Sequence, residues 1–315
     1  MFKPTALIDI GANLTNYRFQ ADLDQVLARA REAKVEHIVI TGTSERASRD
    51  ALALAQKHPG FMTCTAGVHP HDAKHWSGRT AASIAQLAEQ PQVVAIGECG
   101  LDYNRMFSSE RQQLNCFEAQ LQLAVRVGKP VFLHERDAHD PFFSLLKQYR
   151  PKLKGAVVHC FTGNTAQMRE YLNLDCHIGI TGWVCDERRG DDLRKAVRLL
   201  PRDRVMIETD APFLLPRTLH PRPEDNRNEP QYLSAVLETL AKVMRVPATQ
   251  LEAQLRLNTL RFFSLQNVLP EQIEGMDRLP DPAPQDATVS APPPPVEKPR
   301  IYDIEDDLEF NGGQQ

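Results

Sequence analysis

The 315-residue chain lacks the features that mark a membrane protein or a disulfide-bonded secreted protein. No uncharged apolar run approaches the roughly 18 residues that a helix needs to cross a bilayer. The first residues, Met1-Phe2-Lys3-Pro4, lead directly into a strand-like run, so we expect no signal peptide and a cytoplasmic protein. No CxxC pair occurs, and scattered cysteines in mostly apolar runs indicate reduced, buried thiols rather than a disulfide framework. The six cysteines are Cys64, Cys99, Cys116, Cys160, Cys176 and Cys185.

The sequence also lacks a glycine-rich phosphate loop, which bears on the choice between two fold classes. Its first strand-like run is followed by Gly11-Ala12-Asn13, which fits neither GxGxxG nor GxxxxGK[ST]. Eight short apolar runs recur along the chain, and each is nearly continuously apolar, as strands buried on both faces are. Helical spacing of apolar residues separates them. This alternation predicts an α/β fold, a (β/α)8 TIM barrel, with an open doubly wound sheet as the alternative.

Charge and proline divide the chain into two predicted parts. The net charge of −4 is the sum of two unlike parts. The body, residues 1–266, has 34 basic and 30 acidic residues, and the tail, residues 267–315, has 3 basic and 11 acidic residues. The tail also holds 9 of the 23 prolines, which favours a disordered extension. When the tail is counted separately, the negative net charge of the whole chain no longer argues against binding of a polyanion by the body.

Polar side chains stand where the predicted strands end, which in a barrel is the face that carries the active site. Strand four is predicted to end in Glu98, strand five in His134, strand six in His159 and strand eight at Asp210. Imidazole and carboxylate groups bind divalent cations. We therefore predict a metal site of Glu98, His134, His159 and Asp210, in which Glu98 could bridge two ions and Asp210 could also act as a catalytic base. Histidines and acids that only anchor loops are the alternative for each residue.

Three further residues are predicted to contact the substrate. His69 follows strand three, Arg136 lies two positions beyond His134, and Asn13 lies at the end of strand one. Guanidinium groups bind phosphate bidentately, so this face suits a phosphodiester. Trp183 and Phe213 are candidate platforms for base stacking, with ordinary loop packing as the alternative.

Five motifs in this order resemble the TatD family of metal-dependent deoxyribonucleases, over about residues 8–263. They are residues 67–70 (GVHP), 96–102 (IGECGLD), 134–138 (HERDA), 159–163 (HCFTG) and 208–212 (ETDAP). The resemblance implies a TIM barrel of the metallo-dependent hydrolase superfamily and a nuclease that uses a divalent metal, commonly Mg²⁺. It places the family's metal ligands on Glu98, His134 and His159, and its catalytic carboxylate on Asp210.

The chain departs from the common family pattern at strand one. Most members carry His-x-His there, whereas this chain has Gly11 and Asn13. We therefore expect a looser site that favours Mg²⁺ through oxygen ligands and water, with Mn²⁺ or Zn²⁺ as alternatives. The stretches 9–15 (DIGANLT) and 179–190 (GITGWVCDERRG) resemble the TatD branch itself. That resemblance implies a 3′→5′ exonuclease on single-stranded DNA and RNA, connected with DNA repair.

Two other functions stay open at the level of the sequence. One is a barrel metallohydrolase of a small ester, amide or lactone, and the other is a nucleic-acid-binding scaffold without catalysis. For the tail, the alternatives are a solubilising extension, a DNA mimic that covers the basic face, and a motif that docks a protein partner. The docking motif would use Ile301, Ile304, Leu308 and Phe310, which are spaced like one face of a short helix.

Overall fold

The fold is a barrel of eight parallel strands, seen in a computed structural model that describes residues 6–267 and 269. Neighbouring strands pair in sequence order from β1 to β8. Backbone hydrogen bonds link the two ends of the sheet, from Asp210 N to Gly11 O (2.8 Å) and from Asn13 N to Ala211 O (2.7 Å). The prediction of a TIM barrel is confirmed. The strands are β1 (Leu7–Ala12), β2 (Val35–Ile40), β3 (Met62–Ala66), β4 (Val93–Asp102), β5 (Val131–Arg136), β6 (Ala156–Val158), β7 (His177–Ile180) and β8 (Val205–Ile207).

Helices follow the strands, as the periodicity predicts. Within the described residues there are nine α-helices, of which the last two follow β8. They are α1 (Leu23–Glu32), α2 (Glu45–Lys57), α3 (Gly78–Ala88), α4 (Glu110–Val127), α5 (His139–Tyr149), α6 (Thr165–Asn173), α7 (Asp191–Val197), α8 (Leu233–Met244) and α9 (Ala248–Phe263).

Helix α4 shows how local sequence sets an element's ends. The Ser109 side chain accepts from Gln112 N while Gln112 Oε1 accepts from Ser109 N, which is a capping box. At the other end Gly128 has φ +66°, the left-handed conformation that glycine adopts without a steric penalty. These two caps set the ends of the helix at Glu110 and Val127.

The apolar core has two layers. One lies between the strands and the surrounding helices and includes Leu27, Ile38, Phe117 and Phe142. The other fills the barrel interior at the end where the strands begin. It consists of residues such as Ile8, Ile10, Val39, Phe132, Met206, Leu260 and Phe263. This second layer closes the barrel below the polar site, because α9 contacts both β1 and β8.

Two predicted strand ends are wrong, because β5 continues past His134 to Arg136 and β4 also continues beyond its predicted end. Strand β4 does not end at Glu98 but continues to Asp102, because its pairing with β5 resumes after an irregularity between Ile96 and Cys99. Cys99 then pairs with Leu133, and the register continues to Asp102 opposite Arg136. Glu98 therefore lies within a strand, at a break in its register, and a second acid four residues later reaches the same end of the barrel.

The division into a body of residues 1–266 and a tail of residues 267–315 stays a prediction. Nearly all of the tail, including residues 301–310, lies outside the described residues. Among the helices of the described part, none combines the length and the apolar character needed to cross a membrane.

Candidate active site

The residues assigned to the site from the sequence all line one cavity at the carboxyl end of the barrel. They reach it from six different strands or the loops that follow them. The parallel order places all these strand ends on one face, which is why residues so distant in sequence meet. The seven residues are Asn13, His69, Glu98, His134, Arg136, His159 and Asp210.

Glu98 is the centre of the cluster. Its Oε1 atom lies 2.8 Å from His159 Nε2, 3.0 Å from His134 Nδ1 and 3.3 Å from His69 Nε2. The Glu98 side chain is almost fully buried, at 5% exposure. Three imidazoles from three different strand ends thus converge on one carboxylate oxygen.

His69 lies closer to the metal-binding group than its predicted role in substrate contact implies. Ligand atoms of His69, Glu98 and His134 all lie within 4.8 Å of one another, a separation that suits one ion. The His69 ring also packs edge-on against His134, with ring centroids 4.5 Å apart. A role in substrate contact and a role in metal binding are both compatible with this position.

Asp102 holds the side of His134 that faces away from Glu98. Its Oδ2 atom lies 3.3 Å from His134 Nε2 and 3.0 Å from His71 Nε2. Its Oδ1 atom accepts backbone N–H groups of Asn104 (2.9 Å) and Arg105 (2.8 Å). A carboxylate on the outer ring nitrogen fixes the orientation of a histidine that binds metal through the other nitrogen.

Glu208 is the corresponding partner of His159. It lies one residue beyond β8 and is fully buried. Its Oε2 atom is 3.3 Å from His159 Nδ1, and its Oε1 atom accepts the Cys160 N–H at 2.5 Å. His159 is therefore held between Glu208 on one nitrogen and Glu98 on the other.

Asp210 faces the same cavity from the loop after β8. Its Oδ1 atom accepts a hydrogen bond from Asn13 Nδ2 at 2.9 Å. Burial raises the pKa of Asp210 to about 8, and the nearby negative charge of Glu98 acts in the same direction. Asn13, predicted to contact substrate, thus contacts the predicted catalytic carboxylate.

The charges of the cluster are strongly coupled. Burial by itself raises the pKa of Glu98, but the neighbouring His159 and His69 outweigh it and hold that pKa well below its usual range. Burial lowers the pKa of His134, but hydrogen bonds to Asp102 and Glu98 raise it to about 9. For His69, burial prevails and lowers the pKa to about 4. Protons on His134 therefore balance the charge of carboxylates that a metal cation could balance instead.

The donor set fits a divalent cation. Imidazole nitrogens and carboxylate oxygens converge in a cavity that Asp210 also lines, and the outer nitrogens of His134 and His159 have carboxylate partners. Glu98, His134 and His159 would hold such an ion, with His69 and Asp210 beside them. When bound, the ion would supply Lewis-acid activation of a phosphodiester.

The arginines at this end of the barrel fall into two groups. Arg188 and Arg217 bind the carboxylates of Asp186 (3.1 Å) and Glu187 (2.9 Å) respectively. Arg136 lines the cavity, and among the described residues no carboxylate lies within ion-pair distance of it. Arg136 is thus better placed to meet a phosphate than the two loop arginines.

An aromatic surface lies at the edge of the cavity. Trp183 and Phe213 both line it, and the guanidinium of Arg189 lies 4.4 Å from the centroid of the Trp183 ring. A ring stacked on a guanidinium is pre-organised as a flat surface. Its position is compatible with base stacking.

Sequence reasoning missed Asp102 and Glu208. Both lie inside the quoted motifs, at the end of IGECGLD and the start of ETDAP. Motif membership was the only signal, because nothing in local spacing connects Asp102 with His71 or Glu208 with His159.

Comparisons with known proteins identify the family of this chain. A family model described as TatD related DNase matches residues 8–264. The protein of Erwinia tasmaniensis named 3′-5′ ssDNA/RNA exonuclease TatD is 52% identical over 259 residues, which cover 82% of this chain and 100% of the relative. The protein of the same name from Klebsiella pneumoniae is 50% identical over 259 residues, covering 82% of this chain and 98% of the relative.

Solved structures include a close match to the fold. A TatD homologue from Escherichia coli K12 superposes with a TM-score of 0.74 at 30% identity, covering 82% of this chain and 98% of that chain. The family match spans the whole barrel, and the site residues lie inside it. The chain therefore belongs to the TatD family of DNases and is a hydrolase that acts on phosphodiester bonds of nucleic acid.

Proposed function

We propose that the protein is a metal-dependent 3′→5′ exonuclease that acts on single-stranded DNA and RNA, with Mg²⁺ as its ion. The observation that carries this proposal is the convergence of His69, His134 and His159 on Glu98 Oε1, within 3.3 Å, in a cavity that Asp210 also lines. The names of the relatives at about 50% identity support the polarity and the single-stranded substrate.

Each residue has a distinct role in this proposal. Glu98, His134 and His159 hold the ion. In its ionised form Asp210 takes a proton from the attacking water, and the hydrogen bond from Asn13 Nδ2 to Asp210 Oδ1 leaves Oδ2 as the oxygen to accept it. Arg136 binds a phosphate of the strand and orients it.

The residues at the end of strand β1 support magnesium over zinc in this proposal. Position 11 is glycine and position 13 is an amide that contacts Asp210, so strand β1 supplies no imidazole to the site. Fewer nitrogen ligands and more oxygen ligands favour a hard cation. Manganese should substitute for magnesium because it shares this preference.

The direct test uses purified full-length protein and single-stranded DNA labelled at its 5′ end. With Mg²⁺ the products should form a ladder shortened one nucleotide at a time, and a matched strand blocked at its 3′ end should resist digestion. Glu98→Gln, which keeps the shape of the side chain, should be inactive. A strand left intact by the wild type, or equal digestion by Glu98→Gln, would refute the proposal.

A cytoplasmic location, a role in DNA repair and the function of the tail stay predictions. The described chain leaves α9 near Lys154, whose Nζ lies 3.3 Å from Ser264 Oγ. Lys154 precedes β6, so Ser264 lies at the end of the barrel opposite the cavity. Truncation after Gln266 should raise activity at low salt if the tail covers the cavity, and unchanged kinetics would leave partner docking or solubilisation.

A further inference from the structure

Glu208 occupies a space that two glycines leave inside the barrel. A Cβ atom on Gly11 in β1 would lie 2.5 Å from Glu208 Oε2, and one on Gly179 in β7 would lie 2.7 Å from Glu208 Oε1. Real contacts of this kind are longer, so a side chain at either position would displace the carboxylate. Strands β1 and β7 lie on either side of β8, and Glu208 follows β8 directly.

We infer that Gly11 and Gly179 form a slot for Glu208, and that Glu208 is a positioning residue which sets the proton and the orientation of the metal ligand His159. This inference rests on the proposed function, since it assumes that His159 binds a divalent cation. Gly11 leaves this space to the carboxylate, so a side chain at position 11 would require Glu208 to move.

The hydrogen bonds around Glu208 explain how it would act. A carboxylate only accepts hydrogen bonds, so Glu208 Oε2 holds the proton of His159 on Nδ1. With a cation bound in place of a proton, the lone pair of His159 would then be on Nε2, the atom that faces Glu98 at 2.8 Å. The ring is also stacked on Phe132, with centroids 4.3 Å apart, which limits its rotation.

Glu208→Gln reverses this arrangement without changing the volume of the side chain. The Cys160 N–H requires an acceptor, so the amide oxygen takes the position of Oε1 and the amide nitrogen takes the position of Oε2. That nitrogen donates to His159 Nδ1 and places the ring proton on Nε2, toward the metal ligands. We expect Mn²⁺ affinity to fall by about 10- to 100-fold.

Gly11→His tests the slot from the opposite side. If position 11 only lacked a ligand, a histidine there would increase Mn²⁺ affinity. If the slot belongs to Glu208, the new side chain displaces the carboxylate and the affinity falls. Gly11→Ala should also lower the Mn²⁺ affinity of the wild type. The same substitution should lower the affinity less in a Glu208→Asp background, because the shorter side chain avoids the added methyl group.

The measurement is a calorimetric titration of MnCl₂ into metal-free full-length protein, and the electron paramagnetic resonance spectrum of Mn²⁺ is a second readout. The melting temperature of the metal-free protein tests whether each variant folds. Glu252→Gln is the matched control, because Glu252 is another buried carboxylate, which accepts Ala6 N at 2.7 Å far from the site. It should bind Mn²⁺ as the wild type does.

The outcomes separate the two proposals. If the wild type takes up no Mn²⁺, the proposed metal-dependent function is wrong. If the wild type binds Mn²⁺ and Glu208→Gln binds it within about twofold, or Gly11→His binds it more tightly, the positioning role is wrong. If Glu208→Gln does not fold, the coupling between Gly11→Ala and Glu208→Asp decides, and additive effects would overturn the inference.

Discussion

Replacing Asp102 by asparagine should weaken metal binding although Asp102 lies outside the predicted ligand set. In the wild type, Asp102 Oδ2 faces His134 Nε2 at 3.3 Å and His71 Nε2 at 3.0 Å. In the wild type, Asp102 Oδ1 accepts hydrogen bonds from two backbone N–H groups, so the amide oxygen of Asp102→Asn should take this position. The amide nitrogen then faces both imidazole rings. His134 must then carry its proton on Nδ1, the atom 3.0 Å from Glu98.

The size of the effect follows from the bonds that are lost. A hydrogen bond to a charged partner contributes about 1.5–3 kcal/mol. Loss of a carboxylate behind a metal-binding histidine costs about 10- to 100-fold in affinity, or about 1.4–2.7 kcal/mol. Because the two estimates agree, we expect a tenfold to hundredfold increase in the Kd for Mn²⁺ and a lower kcat/KM at fixed Mg²⁺.

The assay is a calorimetric titration with MnCl₂, followed by nuclease rates over a range of Mg²⁺ concentrations. Excess Mg²⁺ should restore much of the lost rate, because the defect lies in binding the ion. Asp137→Asn is the control: its carboxylate accepts Asn104 Nδ2 at 2.9 Å in the same region without contacting either ring. A Kd for Asp102→Asn within threefold of the wild type would show that Asp102 does not orient His134.

Three other results are expected. His37 is buried, and desolvation lowers its pKa from 6.5 to about 4, so unfolding takes up a proton between these pH values. The free energy of unfolding therefore falls as pH falls through this window, by up to about 1.4 kcal/mol per pH unit. In chemical denaturation, the stability of His37→Gln should depend less on pH than that of the wild type, and an identical dependence would contradict the lowered pKa of His37. Arg136→Ala should weaken the binding of a fluorescent single strand and reduce the slope of log K against log salt concentration by about 0.7. Arg188→Ala should change this slope little, because the wild-type Arg188 guanidinium binds Asp186. Equal slopes for Arg136→Ala and the wild type would exclude a phosphate contact of Arg136. Removing divalent ions with EDTA should lower the melting temperature of the wild type but not that of Glu98→Gln. An ion that binds the folded protein adds about 2.7 kcal/mol to the free energy of unfolding when its free concentration is 100 times its Kd.

The sequence predicted the barrel because its strands are buried on both faces and therefore read as apolar runs separated by helices. Capping residues also fixed the bounds of α4, since Ser109, Gln112 and Gly128 act within one turn of the helix ends. Such effects are local, and local effects can be read from the chain. The end of β4 could not be predicted, because its continuation to Asp102 depends on pairing with β5 after a register break.

The sequence by itself predicted the four side chains at the centre of the site but not their partners Asp102 and Glu208. In a parallel barrel every strand ends on the same face, so residues after successive strands converge whatever their separation along the chain. That rule placed Glu98, His134, His159 and Asp210 together.

Only the tertiary structure decided how those side chains are held. The outer nitrogens of His134 and His159 meet Asp102 and Glu208 respectively, and Glu208 Oε2 lies where a Cβ atom on Gly11, 197 residues away, would come within 2.5 Å of it. Hydrogen-bond direction and close packing are set within tenths of an ångström by residues from different strands, and no spacing along the chain records them.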